Sequence, residues 1–113
     1  MTKTAPALAA DTYARWRATP LGAITERLET RLVFDLAGPL NGKRVLDVGS
    51  GDGQYAIEAA KRGGQVTALD REQPMLDAAR MRARALGLHL ALHRGDAAML
   101  PFADASFDVV LAV

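Results

Sequence analysis

Three glycines and two aspartates lie close together in residues 45–54 and are candidates for a ligand-binding loop. The stretch reads Val-Leu-Asp-Val-Gly-Ser-Gly-Asp-Gly-Gln, an apolar run followed by glycines at alternate positions. Glycine reaches positive φ without steric cost and, lacking Cβ, lets a ligand approach the backbone. A helix-like pattern follows, so free N–H groups and the positive end of the helix dipole would face that ligand. The pattern predicts a buried strand, a tight turn and a helix N-terminus.

The charge of this loop limits the class of ligand. Asp47 precedes the glycines and Asp52 lies among them, whereas the dinucleotide pattern Gly-x-Gly-x-x-Gly would need a glycine where Gln54 stands. Two unit charges about 4 Å apart interact by roughly 4 kcal/mol at an effective dielectric constant near 20. Carboxylates that close would oppose a pyrophosphate and favour a cationic group. Asp52 has an alternative role as the N-cap of the next helix, while Asp47 must find a partner or stay solvated in a cleft.

Asp70 is a third candidate, at the end of the predicted second strand and about 17 residues after Gly53. Nucleotide-binding α/β domains place a carboxylate there to accept hydrogen bonds from ribose hydroxyls. The structural alternative is that Asp70 caps the following helix. Dinucleotide-binding domains pair the same loop with the same acid, so this feature alone does not separate the two ligand classes.

The elements that must position these residues alternate along the chain. The sequence predicts strands at 44–48, 65–69, 88–93 and 107–113, and helices at about 20–36, 53–62 and 74–86. Such alternation indicates an α/β fold with a parallel sheet and right-handed crossovers. Apolar residues on both faces of the strands are typical of a sheet that is covered on both faces. The last of these helices carries Arg80, Arg82 and Arg84, which we expect to be solvated.

The N-terminal part of the chain, residues 1–40, is predicted to form helices or a lid in front of a ligand-binding domain at 41–113. Thr19 and Pro20 are typical of an N-cap and a first helical residue. The apolar residues of the helix that follows recur at three- and four-residue steps and predict an amphipathic helix. They are Leu21, Ile24, Leu28, Leu32 and Leu36.

Composition excludes several classes of protein. The chain has 113 residues, half of them apolar, and a net charge of +1, which predicts one domain without a broad nucleic-acid-binding surface. There is no cysteine, and His89 and His93 are the only histidines, so we expect no disulfide and no metal site. No apolar run approaches the roughly 20 residues of a membrane span. Without a secretory signal at the N-terminus, we expect a cytoplasmic protein that does not associate with membranes.

The loop pattern Asp-x-Gly-x-Gly-x-Gly after an apolar strand resembles the cofactor loop of class I S-adenosylmethionine-dependent methyltransferases. The patterns Gly-Asp-Ala-x-x-Leu-Pro-Phe at 95–102 and Asp-x-Ser-Phe-Asp-Val-Val at 104–110 are similar to the type 11 methyltransferase domain. Its small-molecule enzymes include those of ubiquinone and menaquinone biosynthesis. The resemblance runs from about Tyr13 to the last residue. It implies a Rossmann-like three-layer sandwich with strand order 3-2-1-4, truncated after the fourth strand.

The resemblance also implies roles for individual residues. Asp47 and the backbone of Gly49 and Gly51 would hold the methionine end of S-adenosylmethionine, and Asp70 would bind the ribose hydroxyls. The implied reaction is an in-line attack by a small-molecule acceptor on the sulfonium methyl, which leaves S-adenosylhomocysteine. Neither a catalytic residue nor a general base is implied by the residues present.

The adenine side and the lid complete the implied site. Arg71 and Met75 would flank the adenine, Asp96 would accept a hydrogen bond from its exocyclic amine, and the Ala97 N–H would bond to the ring. The remaining two residues, Tyr13 and Trp16, would close over the cofactor. Packing between helix and sheet is the alternative for these two aromatic residues.

Two alternatives to a methyltransferase remain open at this point. One is a non-catalytic binding or interaction module, completed by homodimerisation through the fourth-strand edge or an uncovered sheet face. The other is a nicotinamide dinucleotide domain, which Gln54 and the acidic loop disfavour.

Overall fold

A computed structural model describes residues 12, 15–16, 18–96 and 106–112. The elements are α1 (Pro20–Ala37), β1 (Arg44–Val48), α2 (Gln54–Lys61), β2 (Gln65–Asp70), α3 (Gln73–Ala85), β3 (Ala91–Arg94) and β4 (Val109–Leu111). The four strands form one sheet in the order β3-β2-β1-β4, and every pair is parallel. The predicted α/β class and the strand order 3-2-1-4 are confirmed.

Local chemistry explains the ends of the helices. The Thr19 side chain accepts a hydrogen bond from the Gly22 N–H at 3.1 Å, which confirms Thr19 as the N-cap of α1. The α1 helix ends at Gly38, whose φ of 75° suits glycine. Gly87, with φ of 69°, follows the C-cap of α3 as the sequence predicts.

The core lies between the sheet and one layer of helices. In the centre of the sheet Val45 and Leu46 are almost fully buried, and side chains from all three described helices pack against the face that carries Val45. On the opposite face Val110 of β4 is 57% exposed, so the structure leaves that part of the sheet open.

Two strands are shorter than predicted. The strand predicted at 88–93 begins at Ala91, because the Leu88 N–H donates to the Ala83 carbonyl at 2.9 Å and so completes the end of α3. The strand predicted at 107–113 contains only Val109–Leu111, and Asp108 just before it is engaged with Arg44 at the start of β1. Residue 113 lies outside the described part of the chain.

The α1 helix is confirmed, but its apolar stripe is not its buried face. Phe34 is 2% exposed and packs against Tyr55, with ring centroids 6.2 Å apart, while the Arg62 guanidinium lies 4.6 Å from the Phe34 ring centroid. The stripe lies on the other side of the helix, where its residues are between 48% and 80% exposed. Its members are Leu21, Ile24, Leu28, Leu32 and Leu36.

Arg44 and Asp108 fasten β4 to β1. The Arg44 N–H and Nη2 donate to the Asp108 carboxylate at 2.8 and 3.1 Å, and the Asp108 N–H donates to the Arg44 carbonyl at 2.8 Å. The Arg44 side chain, helped by its backbone N–H, lowers the pKa of Asp108 from 3.8 to about 2. Because the folded pKa is the lower one, the stabilisation is complete above about pH 4 and is lost as pH falls through about 2.

We therefore expect Asp108→Asn to unfold at lower urea concentration than the wild type at neutral pH, with the difference shrinking as pH falls from about 4 towards 2. Urea unfolding followed by circular dichroism at a series of pH values measures this. Asp77→Asn is the control, since Asp77 is exposed and makes only surface contacts, with Arg80 at 3.9 Å and with Gln73 Nε2 at 2.9 Å. A pH-independent difference for Asp108→Asn would contradict the assignment.

Candidate functional site

The carboxyl ends of three adjacent strands carry most of the residues selected from the sequence. The glycine loop follows β1, Asp70 ends β2, and Asp96 comes two residues after the end of β3. Parallel strands bring these ends to one edge of the sheet, which is where open α/β sheets bind their ligands. The fold therefore brings the glycine loop, Asp70 and Asp96 to one edge of the sheet.

The three loop glycines adopt positive φ, as predicted, but for different reasons. Gly49, Gly51 and Gly53 have φ of 67°, 58° and 91°. A Cβ on Gly49 would meet nothing within 4 Å, so its backbone borders open space. A Cβ on Gly53 would lie 2.9 Å from the Ala79 Cβ, so Gly53 is needed for α2 to pack closely on α3.

The Asp70 carboxylate holds the glycine loop in place. Its Oδ2 accepts the Gly51 N–H at 2.7 Å, and its Oδ1 accepts the Glu72 N–H at 2.9 Å. The loop is tied to the same strand again by the Ser50 N–H, which donates to the Leu69 carbonyl at 3.0 Å. Asp70 is not the N-cap of α3, because that position is Glu72. The alternative that Asp70 caps α3 therefore holds only in part, since Asp70 is not the N-cap residue but its carboxylate accepts the N–H of that residue.

Asp52 is turned away from the open side of the loop. Its side chain is 8% exposed and lies 3.3 Å from Arg82 Nη1, which also donates to the Asp52 carbonyl at 3.2 Å. The N-cap of α2 is Gly53, without a side-chain hydrogen bond, so the predicted capping role of Asp52 is wrong. Asp52 is neutralised by α3, and the acidity of the site comes from Asp47, which is 1% exposed, and Asp70.

The contact between Arg82 and Asp52 was missed in the sequence prediction, since all three arginines of α3 were predicted to be solvated. A weak signal exists, because Arg82 follows Met75 by seven residues and Ala79 by three and so shares their side of the helix. Arg80 follows Leu76 by four residues, however, and is exposed. Helical spacing alone therefore did not distinguish the two arginines.

The residues predicted beside the adenine lie around Asp70. Met75 is half-buried in the first turn of α3, and Arg71 is exposed, with its carbonyl accepting a hydrogen bond from Arg94 Nε at 3.1 Å. Asp96 is exposed and follows Gly95, whose N–H donates to the Asp70 carbonyl at 2.9 Å. These positions are compatible with the predicted roles, which stay predictions.

The predicted lid is described only in part. Trp16 is 44% exposed, so its side chain is partly covered, and both the lid and the packing alternative stay predictions for this residue. The Trp16 carbonyl accepts hydrogen bonds from the Thr19 N–H and hydroxyl at 3.0 and 2.7 Å. Tyr13 and Ala97 lie outside the described residues, so their predicted roles stay predictions.

The described residues contain no group of three or more His, Cys, Asp or Glu side chains placed to hold a metal ion. No helix in the described part of the chain combines the length and apolarity that crossing a membrane requires.

Comparison with known proteins identifies the domain. Residues 45–113 match the family described as methyltransferase domain. The chain belongs to the methyltransferase domain family. This membership confirms the predicted class I S-adenosylmethionine-dependent methyltransferase domain, whose cofactor is S-adenosylmethionine.

Individual relatives agree with this membership. An uncharacterised protein of Mycobacterium tuberculosis is 39% identical over 100 residues, which are 86% of this chain and 36% of that protein. The demethylmenaquinone methyltransferase of Deinococcus radiodurans is 47% identical over 70 residues, which are 60% of this chain and 29% of the enzyme. The methyltransferase domain described here thus spans about a third of the length of these curated relatives.

The fold is shared with a solved S-adenosylmethionine-dependent methyltransferase from Aquifex aeolicus. The TM-score is 0.73 at 24% identity, and the match covers 93% of this chain and 56% of that structure. At this identity the likeness concerns the fold, and it agrees with the four-stranded parallel sheet described above.

We expect Arg82→Met to destabilise the methyltransferase domain by about 1–3 kcal/mol, because the buried Asp52 carboxylate would lose its ion pair with Arg82. The matched control is Arg80→Met, which removes an exposed contact to Asp77 and should cost less than about 1 kcal/mol. The free energy of unfolding in urea measures both variants. Equal losses would show that the contact between Arg82 and Asp52 does not stabilise the loop.

Proposed function

We propose that this methyltransferase domain binds S-adenosylmethionine at the carboxyl edge of its sheet and serves methyl transfer to a small-molecule acceptor. The observation that carries the proposal is the hydrogen bond between the Asp70 carboxylate and the Gly51 N–H. This bond joins the acid of β2 and the loop of β1 into one unit beside the open space at Gly49. When bound, the cofactor supplies a methyl group on a sulfonium.

The residues at this edge fit such a cofactor. Gly49 leaves room for close approach to the backbone, and Asp47 and Asp70 provide negative charge for a ligand that carries an ammonium and a sulfonium. Each carboxylate oxygen of Asp70 accepts one hydrogen bond and has a second lone pair, so Asp70 is able to accept ribose hydroxyls while it holds the loop.

The two glycines have different roles in this proposal. The Gly51 N–H is donated to Asp70, so Gly51 acts by orienting that carboxylate. Gly49 gives the methionine end of the cofactor access to the backbone beside Asp47. Hydrogen bonds of this charge-assisted kind contribute about 1.5–3 kcal/mol each.

The adenine is proposed to lie between the first turn of α3 and the segment after β3. Met75 offers an apolar surface, Arg71 flanks the ring, and Asp96 and the Ala97 N–H bond to its polar edge. Tyr13 and Trp16 are proposed to close over the cofactor from the N-terminal side. The chain's own contribution is binding and orientation, which supply much of the rate when the leaving group is already charged.

The nature of the acceptor is proposed from relatives. The enzyme from Deinococcus radiodurans and a second one from Thermus thermophilus, 40% identical over 82 residues, are named demethylmenaquinone methyltransferases. Demethylmenaquinone is therefore the first acceptor to be tested. We propose a cytoplasmic location for the reaction.

An alternative proposal is a binding module that works as a homodimer. It is favoured by Val110, which is 57% exposed on β4 at one end of the described sheet. Pairing of two copies along β4 would cover this strand. A nicotinamide dinucleotide remains disfavoured, because Gln54 stands where the dinucleotide pattern needs glycine and Asp47 would oppose a pyrophosphate.

Removal of the Asp70 side chain tests the cofactor site. We expect Asp70→Ala to weaken binding of S-adenosylhomocysteine roughly ten- to hundredfold, because charge-assisted hydrogen bonds and the support of the loop are both lost. Isothermal titration calorimetry measures the affinity, with Asp77→Ala as the control. NAD should bind neither protein measurably. Unchanged affinity of Asp70→Ala, or preferential binding of NAD, would refute the proposed site.

A pair of glycine variants separates ligand access from backbone strain. Gly49→Ala and Gly42→Ala each force a side chain into positive φ, at 67° and 75°, and neither Cβ meets an atom within 4 Å. Both should lose roughly 1–2 kcal/mol of stability. Only Gly49→Ala should weaken S-adenosylhomocysteine binding, because its methyl group would occupy the space left for the ligand. Equal affinities of the two variants would place the ligand elsewhere.

A further inference from the structure

A groove of about 680 Å³ lies on the helical face of the domain, along α2 and between α1 and α3. Its floor includes Ile57 and Lys61 of α2, and its walls include Leu28 of α1 and Leu86, the C-cap of α3. The eight residues of α2 give the floor a length of about 12 Å, or roughly two helical turns. The proposed cofactor site does not use this groove.

The groove walls expose large apolar side chains. Ile24 and Leu28 on α1 are 48% and 63% exposed, and Leu86 on the opposite wall is 53% exposed. Contiguous apolar surface of this kind, rimmed by polar residues, marks interaction sites on soluble proteins. An occupant with an apolar side would bury all three residues together.

The rim of the groove is strongly positive. Five cationic side chains and only two acidic ones line it, although the whole chain has a net charge of +1. Arg62 is paired with Glu58, and Arg82 is paired with Asp52. Within the described residues, Arg27, Arg31 and Lys61 have no ion pair, so their charge is left for an occupant.

We propose that this groove docks an amphipathic helical segment of a partner protein, with apolar side chains on one face and Asp or Glu along its margins. The charge complementarity selects an acidic partner. The concave shape and the two-turn length suit a helix laid against the exposed apolar walls. Arg27 and Arg31 on one side and Lys61 on the floor would then pair with its carboxylates.

Two fluorescent peptides test the chemistry directly on the full chain. In both, leucines recur at three- and four-residue steps; the flanking positions are Glu in one peptide and Lys in the other. Fluorescence anisotropy should show saturable binding of the Glu peptide, weakened by added salt, and at least about tenfold weaker binding of the Lys peptide. Equal affinity for the two peptides would overturn the proposal.

Matched variants locate the binding surface. The double variant Arg27→Glu/Arg31→Glu should weaken Glu-peptide binding by about tenfold or more, while Arg80→Glu/Arg84→Glu, with the same change in charge outside the groove, should stay within about twofold. Equal losses in the two double variants would overturn the proposal, because they would indicate only a general charge effect.

A second pair of variants, both on α1, tests the contribution of the apolar wall of the groove. Leu28 lines the groove, whereas Leu36 is 80% exposed on α1 and lies outside it. Leu28→Ser should weaken peptide binding and Leu36→Ser should not. Since both side chains are exposed, neither change should disturb folding, which circular dichroism checks.

Two other occupants are outcomes of the same tests. The protein could bind phosphatidylglycerol vesicles more strongly than the Glu peptide and lose this binding in Leu36→Ser. That result would indicate that the apolar stripe contacts a lipid surface instead. Sedimentation equilibrium showing a dimer that Leu28→Ser dissociates would assign the groove to a second copy of the chain. Either result would overturn the proposal of an acidic partner segment.

Discussion

The hydrogen bond from the Gly51 N–H to the Asp70 carboxylate is the constraint on which the site depends. It is 2.7 Å long and joins the loop after β1 to the end of the neighbouring strand. The other oxygen of the same carboxylate accepts the Glu72 N–H, so Asp70 also connects the loop to the start of α3. Because Gly49 and Gly51 adopt positive φ, glycine lets the loop reach this geometry without strain. The loop is thus shaped before any ligand arrives, which reduces the ordering cost of binding.

The distribution of charge follows from where each carboxylate finds its partner. Asp52 is paired with Arg82 and contributes little negative potential to the carboxyl edge of the sheet. Asp47 and Asp70 remain there, while the cationic side chains of α1 and α2 collect in the groove on the helical face. The net charge is only +1, but the charges are separated between a negative carboxyl edge of the sheet and a positive helical face. Arg82 belongs to both regions, since it lines the groove and holds the loop.

The sequence predicted those features that depend on local chemistry. The β1 strand, the positive φ of the loop glycines and the Thr19 cap follow from residue types within a few positions, and the structure has all of them. The order of the parallel strands was predicted from the alternation of helices and strands and from the resemblance to the methyltransferase family. The errors concern contacts between distant parts of the chain. The partner of Asp52 lies 30 residues away, and no local pattern distinguished Arg82 from Arg80.

The orientation of α1 shows the same limit and links the groove to the loop. A five-residue apolar stripe predicts an amphipathic helix, but the buried side is chosen by Phe34, which packs between Tyr55 and Arg62. Helices of this length are stabilised mainly by packing, and α1 leaves most of its large apolar side chains exposed. Its contacts with α2 fall on the first turn after the glycine loop, where Gln54 reaches Thr30 at 3.5 Å. A partner bound across α1 and α2 would stabilise this junction by mass action. It would thereby also stabilise α2, the helix that follows the glycine loop.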